Sequence, residues 1–142
     1  MSDKICHNEQ MTASIAKDIG QELADKDNYV VAITGDLGVG KTFFCKYFIN
    51  YLTNIPIDDI ISPTFNILQI YEYENRSIYH YDLYRINNIA ELYEMDFEDN
   101  LYHGINLIEW PEIAVDLLPS KNIFHLNMKF DLDNNTRLIT FK

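Results

Sequence analysis

Basic residues are scarce in this chain. Its 11 lysines and arginines face 22 aspartates and glutamates, a net charge of −11. So acidic a surface argues against a protein that grips a nucleic-acid backbone unaided, because that mode of binding rests on lysine and arginine displacing counterions from phosphates. Any RNA partner is expected to be met through another protein. Only two cysteines occur, Cys6 and Cys45, too few for a disulfide framework, and no CxxC pair or Cys/His cluster offers a zinc site. Cys45 is expected to pack as a small hydrophobe. Long apolar runs are missing as well: the longest are strand-sized and broken by charges, so neither a membrane span nor a secretory signal is expected, and the chain reads as soluble and cytoplasmic. What remains is 142 residues, 47% of them hydrophobic. That is material for one core, and a single domain over residues 1–142 is expected.

Residues 8–24 carry Met11, Ile15, Ile19 and Leu23 at every fourth position, one stripe of a surface helix with Asn8 as its N-cap. Residues 29–34 (YVVAIT) form a continuous β-branched run, as in a buried strand covered on both faces. A glycine-rich segment follows, and residues 41–52 then read as an apolar helix. Residues 53–64 contain Pro56 and Pro63 and read as a connecting loop. Two strands are expected over residues 66–74 and 77–81, around a turn at Asn75 and Arg76. Residues 89–100 suit one short acidic helix with a solvated face. A second buried strand is expected over residues 104–109, then a helical turn over residues 111–117 opened by Pro111. A closing hairpin is expected over residues 122–130 and 136–141, around the turn-prone DLDNN.

The segment between the first buried strand and the helix is GDLGVGKT. Gly35, four residues, Gly40, Lys41 and Thr42 complete the phosphate-loop pattern. The spacing has a chemical purpose. Glycines let the backbone curl, so that the amide N–H groups of Gly35, Asp36, Leu37, Gly38, Val39 and Gly40 can converge on phosphates, and the helix opening at Lys41 adds its positive end. Lys41 would reach the β and γ phosphates, and the Thr42 hydroxyl would ligate Mg²⁺. A chance match in so short a chain is on the order of half a percent, and the flanking strand and helix are the expected surroundings. Binding of a nucleoside triphosphate is therefore expected.

Hydrolysis also requires a carboxylate that anchors Mg²⁺, normally at the end of a strand beside the loop. Two strands qualify, one ending at Asp82 and one at Glu109. Both would deliver their carboxylates to the carboxyl edge of the sheet. Glu109 is placed first for the metal, directly or through a water, with Asp82 orienting the attacking water or the Thr42 hydroxyl. Which of the two touches the metal stays open. Ser62-Pro63-Thr64 occupies the position of a γ-phosphate sensor, with Thr64 supplying the hydroxyl; a plain proline turn is the alternative. Strand alternation puts His80 on the face of Asp82, where it would tune that carboxylate or simply fill the core.

GDLGVGKT, SPTF at 62–65, YHYDLYR at 79–85 and LIEWPE at 107–112, in this order and at these intervals, resemble the TsaE (YjeE) family over nearly the whole chain. The resemblance implies a single-domain α/β P-loop NTPase fold, a mostly parallel central sheet flanked by helices with antiparallel hairpin strands. It implies a bacterial ATPase of tRNA threonylcarbamoyladenosine synthesis that uses ATP and Mg²⁺. It further implies action on the proteins TsaD and TsaB, with tRNA met only indirectly. By the same resemblance Thr42 and Glu109 hold Mg²⁺, Asp82 is needed for hydrolysis, and Thr64 belongs to the nucleotide-responsive loop; Lys41, read from the phosphate-loop pattern, is counted with the catalytic residues. Thr12 would lie near the adenine and Arg137 near the nucleotide. Trp110 would contact nucleotide or partner, or fill the core. The chain departs from the family at Met95-Asp96, where a Leu-Gly pair is usual.

Three other classes compete. A small-molecule kinase would close an arginine-bearing lid, and the chain offers only Arg76, Arg85 and Arg137 and no lid-length insertion. A GTPase would carry an NKxD motif, which is missing. A nucleotide-dependent scaffold with incidental turnover would use the Thr64 loop for docking alone.

Overall fold

A computed structural model describes residues 2–132 and 135–142. Seven strands form one sheet: β1 (Ser2–Cys6), β2 (Tyr29–Gly35), β3 (Leu68–Tyr73), β4 (Arg76–Asp82), β5 (Ile105–Glu109), β6 (Ile123–Asp131) and β7 (Thr136–Phe141), in the order β1-β7-β6-β2-β5-β4-β3. The central four, β6, β2, β5 and β4, run parallel. Antiparallel β3 closes one side, and antiparallel β7 and β1 close the other.

The helices α1 (Glu9–Glu22) and α2 (Lys41–Thr53) cover one face of the sheet, where Ile15, Ile19, Phe44 and Phe48 pack on Val31, Ile33 and Leu126. The other face meets the short helices α3 (Ala90–Tyr93) and α4 (Phe97–Leu101) and the 3₁₀ turn Pro111–Leu117, with Val30, Tyr81, Leu92, Phe97 and Ile108 in a second core. The unbroken apolar run of β2 is explained by this sandwich, since Val30 serves one core and Val31 and Ile33 the other. Among the described residues no helix is long and apolar enough to cross a membrane.

Several local expectations need correction. Asn8 does cap α1, its side chain accepting from the Met11 amide at 3.0 Å. Met11 itself is exposed, however, and Thr12 is buried in its place, because positions four apart drift about 40° per step around a helix of 3.6 residues per turn. The β3–β4 turn is made by Glu74 and Asn75, with φ of 49° and 66°, the left-handed pair that suits a two-residue hairpin turn. Arg76 belongs to β4 instead and reaches across to the carbonyls of Lys26 and Asp27 at 2.6 and 2.8 Å. The acidic segment is two helices rather than one, broken where Asp96 takes a left-handed φ of 55°. Strand β1 was not anticipated: SDKIC has too little apolar pattern to declare itself, and it is a strand because β7 offers an open edge. Of the turn-prone DLDNN, residues 133 and 134 lie outside the described residues.

Candidate active site

The phosphate loop leaves β2 at Gly35 and enters α2 at Lys41. A Cβ at Gly35, whose φ is 152°, would press into the Met128 carbonyl of β6, so only glycine fits this departure from the sheet. Gly40 is the N-cap of α2, with φ of 115° and no side-chain cap. The first-turn N–H groups of α2 therefore have no capping side chain and are turned towards a cavity.

Parallel register does the rest. Ile33 of β2 stands opposite Glu109 of β5, and Glu109 stands opposite Asp82 of β4. The two carboxylates are thus neighbours at the carboxyl edge, next to the strand that feeds the loop. The Thr42 hydroxyl donates to Glu109 Oε1 at 2.7 Å. A cavity of about 290 Å³ opens over them, lined among others by Lys41, Thr42, Thr64, Asp82, Glu109 and Trp110. Eight of the expected site residues, with Trp110 and its neighbour Tyr84, therefore converge on one concavity, although they come from four separate segments.

Lys41 is buried, at 4% exposure, and its ammonium donates to the carbonyls of Gly35 and Asp36 at 2.6 and 2.9 Å. It also lies 4.2 Å from the ring centroid of Trp110. Burial lowers its proton affinity, against the pull of Glu109 and Asp82. Burial likewise pushes the Asp82 carboxyl up; the Tyr84 N–H, which donates to Asp82 Oδ1 at 3.1 Å, opposes this, and the Glu109 charge adds to it. A carboxylate with raised proton affinity is suited to receive a proton from, or orient, a water. Thr64 faces the same cavity, its hydroxyl 2.6 Å from that of Ser62.

Thr12 and Arg137 are brought together in an adjoining cavity of about 300 Å³, which also has Gly38, Val39, Gly40 and Phe43 on its wall. Arg137 Nε donates to the Val39 carbonyl at 2.7 Å and so ties β7 to the phosphate loop. Gly38, Gly40 and Phe43 line both cavities, which makes the loop a shared wall between them. Phe43 escaped the sequence reading because it looks like any apolar residue of an apolar helix, yet it is 44% exposed between the two cavities. Tyr84 escaped it as well, and its ring packs on Trp110 with centroids 4.8 Å apart. His80 does share the Asp82 face, but its partner is Glu109, at 2.7 Å. Trp110, half-buried and with a left-handed φ of 55°, does both: it packs against the second core and borders the cavity.

The donor set of a threonine hydroxyl and two carboxylates is all oxygen, which fits a hard cation such as Mg²⁺. The uncapped helix end and the Lys41 ammonium fit phosphate. Loop, sheet order and carboxyl-edge site together define a P-loop NTPase fold. The model of the family "Threonylcarbamoyl adenosine biosynthesis protein TsaE" matches residues 6–139. The chain belongs to the TsaE family. It is 46% identical over 136 residues to the tRNA threonylcarbamoyladenosine biosynthesis protein TsaE of Rickettsia typhi, covering 96% of this chain and 91% of that one. The protein of that name in Borreliella burgdorferi is 35% identical over 102 residues, covering 70% and 72% of the two chains. The crystal structure of Bacillus subtilis YdiB superposes with a TM-score of 0.71 at 29% identity, covering 99% of this chain and 83% of that one.

Proposed function

We propose that this protein is the ATP-binding and ATP-hydrolysing component of the bacterial system that makes N6-threonylcarbamoyladenosine in tRNA, acting in the cytoplasm on TsaD and TsaB to support their turnover. The observation that carries the reading is the Thr42–Glu109 hydrogen bond of 2.7 Å, set between Lys41 and Asp82 under one cavity. Family membership supports the pathway. The net charge of −11 supports contact with tRNA through the partners alone.

In this reading the triphosphate occupies the cavity over Lys41, and the base and ribose occupy the one beside Thr12 and Arg137. Lys41 exchanges the carbonyls of Gly35 and Asp36 for β and γ phosphate oxygens. The backbone amides from Gly35 to Gly40, with those of Lys41 and Thr42, cradle the phosphates. Thr42 gives its hydroxyl proton to Glu109, so its oxygen lone pairs remain for Mg²⁺. Mg²⁺, when bound, neutralises charge that develops on the phosphates. Asp82 orients the attacking water and takes up its proton, and Thr64 reports the γ-phosphate to the loop it belongs to.

Phosphate release by the purified protein should be slow alone and stimulated by TsaD with TsaB; brisk phosphorylation of a free metabolite would overturn the reading. Lys41→Ala should lose nucleotide affinity, whereas Glu109→Ala should bind ATP and fail to turn it over. Near-normal hydrolysis by both would refute the assigned roles.

A further inference from the structure

Glu109 is held by two donors, and only one of them belongs to the phosphate-loop helix. Oε1 accepts from Thr42, and Oε2 lies 2.7 Å from Nε2 of His80. The pair is sealed from water, with 0% of the His80 side chain and 2% of the Glu109 side chain exposed. A carboxylate can only accept, so Nε2 carries the proton of this bond. The other ring nitrogen, Nδ1, has no hydrogen-bond partner among the described residues. A buried polar atom without a partner is a cost that an apolar residue of similar size would avoid. Among the described residues the one hydrogen bond of the imidazole is therefore that to Glu109.

The register explains how the contact arises. His80 and Asp82 share the α2-facing side of β4, and Asp82 stands opposite Glu109. His80 thus sits one step deeper than the Asp82–Glu109 pair and comes up beneath the Glu109 carboxylate, away from the solvent side. Cys45 of α2 closes the space: its Sγ, a His80 nitrogen and a Glu109 oxygen lie within 4.8 Å of one another. Cys45 is fully buried, so the imidazole is packed in place.

We propose that His80 is the positioning residue for the Mg²⁺ site: by clamping Oε2 of Glu109 it keeps Oε1 on the Thr42 hydroxyl, so that the Thr42 oxygen is presented to the cation. This deepens the function proposed above and rests on Glu109 serving that site. With His80 removed, Oε2 loses its donor in a dry environment, and the Glu109 carboxylate is free to rotate towards the Lys41 ammonium, whose charge attracts it. Partners of this kind, acting through a ligand, typically change metal affinity by about 10–100-fold.

The test loads the protein with ADP and titrates Mn²⁺ as the substitute cation, following free Mn²⁺ by electron paramagnetic resonance; ADP affinity without any divalent cation is measured alongside. His80→Ala should bind ADP as the parent does without metal and lose about 10–100-fold in Mn²⁺ affinity. His80→Gln, whose amide nitrogen reaches close to the position of Nε2, should regain most of that loss. Parental Mn²⁺ affinity in His80→Ala, or a glutamine variant no better than alanine, would overturn the inference. Should His80→Ala fail to fold, His80→Asn takes its place, since its amide is too short to reach Glu109, and equal Mn²⁺ affinity in the asparagine and glutamine variants then overturns the inference. Glu109→Gln separates the two readings. If it too keeps parental Mn²⁺ affinity, the metal assignment itself fails; if it loses the metal while His80→Ala does not, only the role of His80 falls.

Discussion

The Lys41 ammonium lies 4.2 Å from the centroid of the Trp110 ring while donating to the carbonyls of Gly35 and Asp36. The charge proposed to bind phosphate is thus occupied by its own loop and covered by the chain's single tryptophan. Cation–ring contacts of this kind are worth about 0.5–2 kcal/mol, and arriving phosphates must replace them.

Nucleotide binding should therefore change the fluorescence of Trp110, because Lys41 leaves the indole for the phosphates. Emission spectra of the parent should shift on addition of ADP or ATP. Lys41→Ala should begin from a different spectrum and fail to respond at the same nucleotide concentration. An identical response in the two proteins would mean that the Lys41–Trp110 contact does not report on the site.

Asp82→Asn should make the nucleotide-free protein more stable while abolishing turnover. The carboxylate is buried at 8% exposure, burial raises its proton affinity with Glu109 adding to the rise, and the asparagine oxygen can still accept from Tyr84. An acid whose folded pKa is raised contributes stability that is complete below its unfolded value and is lost as pH climbs through the folded one. The advantage of Asp82→Asn should accordingly be small in acid and widen towards neutral pH, reaching about 1 kcal/mol. Urea melts at several pH values measure it, and a gap that narrows with rising pH contradicts the argument.

Asp96 tests the break between α3 and α4. Its φ of 55° is a conformation that costs most L-residues about 1–2 kcal/mol, aspartate and asparagine less. Asp96→Gly should be neutral or stabilising by up to about 1 kcal/mol, and Asp96→Val should be destabilising by about 1–2 kcal/mol. Thermal melts of the two variants should bracket the parent; glycine ranking below valine would place the strain elsewhere.

Arg137 links the final hairpin to the phosphate loop through the Val39 carbonyl at 2.7 Å. Arg137→Ala should weaken ATP and ADP alike, by about tenfold if one charged hydrogen bond is lost, with turnover at saturating ATP nearly unchanged, because a contact made equally before and during reaction alters only binding. Calorimetric titration with each nucleotide and steady-state kinetics decide it. A selective loss of ATP would instead tie Arg137 to the γ-phosphate.

Local sequence was enough wherever the chemistry is contiguous. GDLGVGKT specifies its own loop, since glycines at 35 and 40 permit positive φ and Lys41 and Thr42 follow directly on the helix start. YVVAIT and INLIE announce buried strands by composition alone, and the ends of two such strands nominated Asp82 and Glu109. The order of the remaining blocks identified the family. None of this required knowing which strands are neighbours.

The tertiary structure decided everything that depends on register and on edges. β1 is a strand only because β7 has an open side. Thr12 from α1 and Arg137 from β7 share a cavity only because the sheet brings their elements around the loop. His80 could not be assigned to Glu109 from its position two residues before Asp82, because alternation along one strand says which face a side chain takes but not which residue of the next strand lies beside it. That pairing is set by packing and by inter-strand hydrogen bonds between segments distant in sequence, and no local pattern encodes it.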